Sequence, residues 1–273
     1  MTPALACPAP GGPWRARKRR GVLGAVMMAA ILMPPPPVSP AQAASARRAA
    51  CGAGNPLRVA VDIGHSPGGG ALSASGVREY VFNRRMAIEL VRASQRKTAL
   101  RLWLIHPRQG PLALARRPVL ARQQGADVLL SIHHDSVNPK YLKTRRAGGR
   151  ETRYSRAFHG YSLFVSRDNP RYHDSLRLAA ALGRAFKAAG LDQSLHHAEP
   201  VKGEGRMLLR WDLGIYDAPF LVLRRAAMPA VLLETGVIVN PDEEARLNKP
   251  SWRATIIRQI LKGLLEYCGK RGG

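Results

Sequence analysis

The chain has 273 residues, with 43 Lys and Arg against 18 Asp and Glu and a formal charge of +25. Its 45% hydrophobic content supplies a sizeable core and excludes wholesale disorder. The charge favours polyanions, but aromatics are only 6% and no aromatic-lined basic stripe or nucleic-acid motif occurs, so no nucleic-acid partner is expected.

At the N-terminus, Arg15, Arg17, Lys18, Arg19 and Arg20 form a positive n-region. Gly21 to Met33 is apolar but too short to span a bilayer comfortably, and Ala41-Gln42-Ala43 and Ala44-Ser45-Ala46 both suit signal-peptidase cleavage. Residues 1–43 therefore read as a removed signal peptide, and the protein as exported to the periplasm or cell envelope. An uncleaved anchor is the alternative. Losing five basic and no acidic residues leaves +20. Residues 44–56 read as a lead-in linker, 57–268 as one domain and 269–273 as a tail, and a monomer is expected. Cys51 and Cys268 lie near opposite ends of that domain and form a disulfide candidate in an oxidising compartment; two unpaired thiols are the other reading.

Leu57 to Ile63 is apolar and β-branched enough for a strand buried on both faces. Val77 to Arg96 carries Val81, Met86, Ile88, Leu90 and Val91 at helical spacing. A strand over Leu100 to Ile105 and a helix over Leu112 to Gln124 follow. Asp127 to Ile132 is a third strand, running into His133-His134-Asp135. Residues 138–160 are polar and basic and read as a long surface loop. Tyr161 to Ser166 is a strand, and Ser175 to Ala189 a helix closed by Gly190. Arg206 to Arg210 and Pro219 to Leu223 read as short extended pieces. Ala230 to Leu233 is a buried strand leading into Glu234-Thr235-Gly236. Pro241 to Asn248 and Trp252 to Tyr267 are the last helices. The alternation predicts a single α/β domain, a mostly parallel twisted sheet with helices on both faces.

In such sheets ligands gather at the carboxyl ends of the strands. His65 follows the first strand, His133 the third and Glu234 the last, while Glu79 opens the first helix. A catalytic zinc takes three ligands from His, Glu or Asp and leaves a position open. His65, Glu79 and His133 supply that set, and Glu234 is placed as a general base. Each residue also has a plainer reading: His65 as a loop cap, Glu79 as a carboxylate on a helix dipole, Glu234 as a near-core group that needs a partner.

Together the stretches DIGHSPGGG…VREY, LLSIHHDS and PAVLLETGVIVNPDE resemble the successive motifs of the zinc-dependent N-acetylmuramoyl-L-alanine amidases of the amidase-3 family, over about residues 57–267. In that family the motifs read close to D-P-G-H-G-G, S-I-H-A-N and V-E-L-G-F-I-S-N. Ile63, Ser66-Pro67, His134-Asp135, Thr235 and Val237 depart from them without removing a ligand. The resemblance implies Zn2+ on His65, Glu79 and His133, catalysis by Glu234, and peptidoglycan as substrate. The bond cut would be the amide between the lactyl group of N-acetylmuramic acid and L-alanine. The family register selects His133 over His134; His134 and Asp135 are left to support a ligand or touch substrate. Arg224 and Arg225 are either a solvated turn or a contact for stem-peptide carboxylates. His196-His197 lie in a polar segment and are expected to be exposed. Some family members carry an insertion at the place of 138–160 that blocks the site until a partner displaces it. Here the segment reads as a basic substrate-side loop, with a gate answering to a protein activator as the alternative. The +20 surface would hold the enzyme to anionic envelope polymers. Two rival functions stay open: another exported zinc-dependent peptidase or amidohydrolase, and a non-catalytic basic wall-binding protein.

Overall fold

A run of β-branched and aliphatic residues can be buried on both faces only inside a sheet covered on both sides. In the computed structural model, which describes residues 51, 54–107, 110–147 and 149–269, this is where that run sits. The strands in chain order are β1 (Leu57–Ile63), β2 (Leu100–Leu104), β3 (Val128–Asp135), β4 (Lys143–Ala147), β5 (Arg150–Tyr154), β6 (Ser162–Val165), β7 (Met207–Arg210), β8 (Ile215–Asp217) and β9 (Ala230–Val237). The helices are α1 (Glu79–Ser94), α2 (Arg116–Gln123), α3 (Tyr172–Ala188), α4 (Leu221–Arg224), α5 (Pro241–Leu247) and α6 (Pro250–Gly269).

Seven strands form one sheet in the order β2-β1-β3-β9-β6-β8-β7. The block β2-β1-β3-β9 is parallel throughout. β6 runs antiparallel to β9, β8 parallel to β6, and β7 antiparallel at the edge. Strand alternation separates two cores. Leu57, Val59, Val61, Leu130, Ile132, Val231 and Leu233 face one side, where α1, α3 and α6 cover them. Ala60, Leu129, Ala230 and Leu232 face the other, against Ala121 of α2 and Val222 and Leu223 of α4. The described residues fall in one compact unit.

Three expectations are corrected. The 138–160 stretch is not a plain loop: β4 and β5 pair as an antiparallel hairpin, with Lys143 opposite Tyr154 and Arg146 opposite Glu151. The stretch from Pro219 to Leu223 is not extended; Leu221–Arg224 is a turn of helix, and the strand lies just before it at Ile215–Asp217. β3 runs on through His133, His134 and Asp135, because parallel pairing with β9 continues past Ile132. A disulfide joins Cys51 to Cys268, with Cα atoms 5.5 Å apart, and ties the start of the domain to the end of α6. The predicted signal peptide lies outside the described residues. Among the described residues no helix is long and apolar enough to cross a membrane.

Candidate metal and catalytic site

The loop between β1 and α1 is built to hold a helix start. Position 78, the residue before α1, is an arginine with no capping side-chain bond. Loop carbonyls act instead: Ala71 O accepts from Glu79 N at 2.9 Å, and Gly69 O from Tyr80 N at 3.4 Å. The exposed N–H groups of a helix start are thereby paired, and Glu79 is fixed relative to the loop. Its carboxylate points back over the loop. Two close approaches require glycine. A Cβ on Gly70 would lie 2.7 Å from Glu79 Oε2 and 2.9 Å from His65 Cδ2, and a Cβ on Gly64 would lie 2.5 Å from the His133 ring.

The structure brings His65, Glu79 and His133 together. His65 Nε2 is 2.8 Å from Glu79 Oε2, and His133 Nδ1 is 3.0 Å from Glu79 Oε1. One donor atom from each lies within 4.8 Å of the others. Burial raises the proton affinity of Glu79, but the hydrogen bonds and charges of His133 and His65 outweigh it and hold the carboxyl well below its usual range. His65 has φ +65°, a left-handed backbone that costs a non-glycine residue energy. Arg117 of α2 secures it. This guanidinium, 2% exposed, donates to Asp62 Oδ1 at 3.0 Å, to Ile63 O at 2.6 Å and to His65 O. Asp62 also accepts from Ser131 Oγ at 2.6 Å, so the ends of β1 and β3 are locked together.

His134 turns the other way. It is buried against α1, 5.6 Å from the Phe82 ring by centroids. Burial pulls its pKa down to about 3, so the ring is neutral. Its tautomer follows from its neighbours. Asn83 Nδ2 donates to Gly64 O and to Glu79 Oε1, which leaves Asn83 Oδ1 to accept from His134 Nδ1 at 2.8 Å. His134 Nε2 then accepts from Thr235 Oγ1 at 2.7 Å. Asn83 thus orients both Glu79 and His134 from a position of zero exposure.

Glu234 lies on β9 directly opposite His133. Its Oε2 is buried with no hydrogen-bond partner among the described residues. Burial, then the charges of Asp135 and Glu79, push its pKa well above the ordinary carboxylate value, while Arg206 opposes. An orphaned carboxylate oxygen beside a His-Glu-His cluster fits a site that receives a cation and a reacting polar group. A cleft of about 570 Å³ opens beside this region, lined by Ser73, Ser75, Arg78 and, from β5, Glu151, Thr152 and Arg153.

The remaining candidates lie elsewhere. Arg224 and Arg225 are exposed just before the amino end of β9, away from the strand ends that carry His65 and His133. Asp135 faces His196 and His197, which are buried at 1% and 6% exposure rather than exposed. Their segment returns under the sheet edge, where Phe164 and Tyr216 pack on His197. Sequence reasoning missed Asn83, Arg117 and Arg206. Arg117 stood in a predicted helix with nothing to set it apart, but Asp62 at a buried strand end was a signal that some cation must meet it.

The Amidase_3 family, described as N-acetylmuramoyl-L-alanine amidase, matches residues 59–266. The probable N-acetylmuramoyl-L-alanine amidase AmiB of Haemophilus influenzae is 28% identical over 233 residues, which cover 78% of this chain and 52% of that protein. This chain thus spans about half the length of that relative. N-acetylmuramoyl-L-alanine amidase AmiA of Salmonella typhimurium is 28% identical over 229 residues, covering 78% of this chain and 77% of that one. The solved catalytic domain of CwlV, an N-acetylmuramoyl-L-alanine amidase from Bacillus (Paenibacillus) polymyxa var. colistinus, is similar with a TM-score of 0.57 and 27% identity, covering 77% of this chain and 96% of that domain.

Proposed function

This chain belongs to the Amidase_3 family of N-acetylmuramoyl-L-alanine amidases, and from that premise we propose that it hydrolyses the amide between the lactyl group of N-acetylmuramic acid and L-alanine in peptidoglycan. The observation that carries the reading is the convergence of His65, Glu79 and His133 within 4.8 Å beside the orphaned carboxylate of Glu234. Two imidazoles and a carboxylate are a donor set for zinc with a position left open. Bound there, zinc supplies a Lewis acid that polarises a carbonyl and makes water more acidic.

Glu234 does the proton work. As a carboxylate it takes a proton from the water whose oxygen bonds to the amide carbon. It then returns that proton to the alanine nitrogen as the C–N bond breaks, leaving a lactyl carboxylate and a free amine. A buried carboxyl with raised proton affinity is suited to holding a proton between those two events. Asn83 and Arg117 act earlier, by fixing the orientation of Glu79 and the strained turn at His65. The cleft beside β5 offers Arg78 and Arg153 to an anionic peptide. We place the enzyme outside the cytoplasm, in the periplasm or envelope, as the signal-like N-terminus and the Cys51–Cys268 disulfide suggest.

The test is digestion of purified sacculi followed by mass analysis. Amidase action leaves new L-alanine amino termini and intact glycan; any other bond broken refutes the reaction. Glu234→Ala is expected to retain zinc and lose at least roughly 10²-fold in rate, the scale of general acid–base catalysis. Normal turnover by that variant removes Glu234 from the mechanism.

A further inference from the structure

Outside the cluster at Glu79, a second set of donors converges at the end of β3. Asp135, His196 and His197 each offer an atom within 4.8 Å of the others, and all three are buried. Both imidazoles aim Nε2 at the same oxygen: His197 Nε2 is 2.7 Å and His196 Nε2 3.4 Å from Asp135 Oδ2. Their other nitrogens are held from behind, His197 Nδ1 by Glu204 Oε2 at 2.8 Å and His196 Nδ1 by Ser194 Oγ at 2.9 Å. This is how metal-binding histidines are oriented, with one nitrogen on a polar partner and the other free for the ion. Ser136 O, 3.2 Å from His196 Nε2, offers a fourth donor atom. Around a tetrahedral zinc, neighbouring donor atoms stand about 3.3 Å apart; the 3.4 and 3.2 Å contacts of His196 Nε2 already match, and the 2.7 Å contact of His197 Nε2 opens by about 0.6 Å.

Charge points the same way. Asp135 and Glu204 set two carboxylates against His197 in a poorly hydrated region. Two buried carboxylates require positive charge between them, and a divalent ion on the imidazoles supplies it in place of a proton on His197. We propose that Asp135, His196 and His197 hold a second divalent ion of the zinc class, distinct from the one assigned to His65, Glu79 and His133. Two imidazoles and one carboxylate select a late first-row ion over calcium or magnesium. The enclosure of all three ligands makes it a structural ion. It would pin the end of β3 to the 194–206 segment, which carries Arg206. Asp135 stands where the family motif quoted above has asparagine.

The test counts metal in the untagged full chain after dialysis against metal-free buffer, using elemental analysis against protein concentration. Two zinc equivalents are expected in the wild type, one in His197→Gln and one in His65→Ala. One equivalent in the wild type, unchanged in His197→Gln and absent from His65→Ala, overturns the proposal; the contacts are then those of an imidazolium between two carboxylates. One equivalent lost in His197→Gln and kept in His65→Ala upholds this site and overturns the zinc reading of the other. No zinc in any form overturns both. Should His197→Gln fail to fold, His65→Ala decides alone: one retained equivalent upholds the site and none overturns it.

Discussion

Glu243 gives a stability prediction whose sign and size follow from the structure. The residue sits in the first turn of α5, 7% exposed, behind the strand that carries Glu234. Its Oε2 accepts from Val237 N at 2.8 Å and from Gly160 N at 3.0 Å. Those donors favour the carboxylate, but burial outweighs them and raises the pKa from 4.5 to about 7. The folded state therefore binds the proton more tightly than the unfolded chain. The resulting stabilisation is fully present below pH 4.5 and is lost as pH rises through 7. A shift of that size corresponds to about 3 kcal/mol between the two limits. Glu243→Gln can place its amide oxygen where Oε2 lies and accept from both N–H groups, but it carries no titrating proton. Thermal melts of both proteins across pH 4 to 8 are the assay. Relative to the wild type, the variant is expected to gain roughly 6–12 °C between the acid and alkaline ends, on the usual scale for a domain of this size. A difference between the two that stays flat from pH 4 to 8 refutes the claim that burial controls this carboxyl.

Two further perturbations test the scaffold. The Cys51–Cys268 bond closes a sequence separation of 217, so Cys51→Ser is expected to lower stability by about 5 kcal/mol on the loop-entropy estimate; urea unfolding without reductant measures it, and a loss under 1 kcal/mol refutes the estimate. Asn83→Ala leaves Gly64 O and His134 Nδ1 unpaired and deprives Glu79 of a donor. It is expected to weaken zinc binding about 10- to 100-fold; chelator competition measures this, and an unchanged affinity removes Asn83 from the support of the site.

The parts legible in the sequence were those whose cause is local. β1 and the first half of β9 are apolar runs, and a run buried on both faces announces a central strand whatever surrounds it. The rule that ligands sit at strand carboxyl ends then places His65, His133 and Glu234 near one another. What failed to show was set by packing between distant segments. Asn83 is one polar residue in the middle of a helix, and its burial depends on how α1 crosses the end of β3. His196 and His197 lie in a polar stretch, yet Phe164, Tyr216 and Asp135 enclose them. The β4–β5 hairpin has no alternating apolar face, because it is mostly charged residues. Its signal was the Gly148-Gly149 pair between KTRRA and RETRY, the dipeptide that a two-residue hairpin connection favours.

The run His133-His134-Asp135 shows why one strand end can serve several purposes. Successive side chains of a strand point to opposite faces. His133 meets Glu79, His134 drops onto α1 at Asn83, and Asp135 turns to His197 on the core side opposite α1. The pairing with β9 shifts register between His133 and Asp135, so the two are carried apart at the point where Glu234 crosses. A family motif with a small residue and an amide after its histidine offers neither the buried imidazole nor the second carboxylate. The two substitutions in this chain are thus not neutral decoration around an unchanged ligand. His134 ties β3 to the helix that presents Glu79, and Asp135 ties it to the segment that presents Arg206, the two charged groups whose fields act on Glu234 in opposite directions.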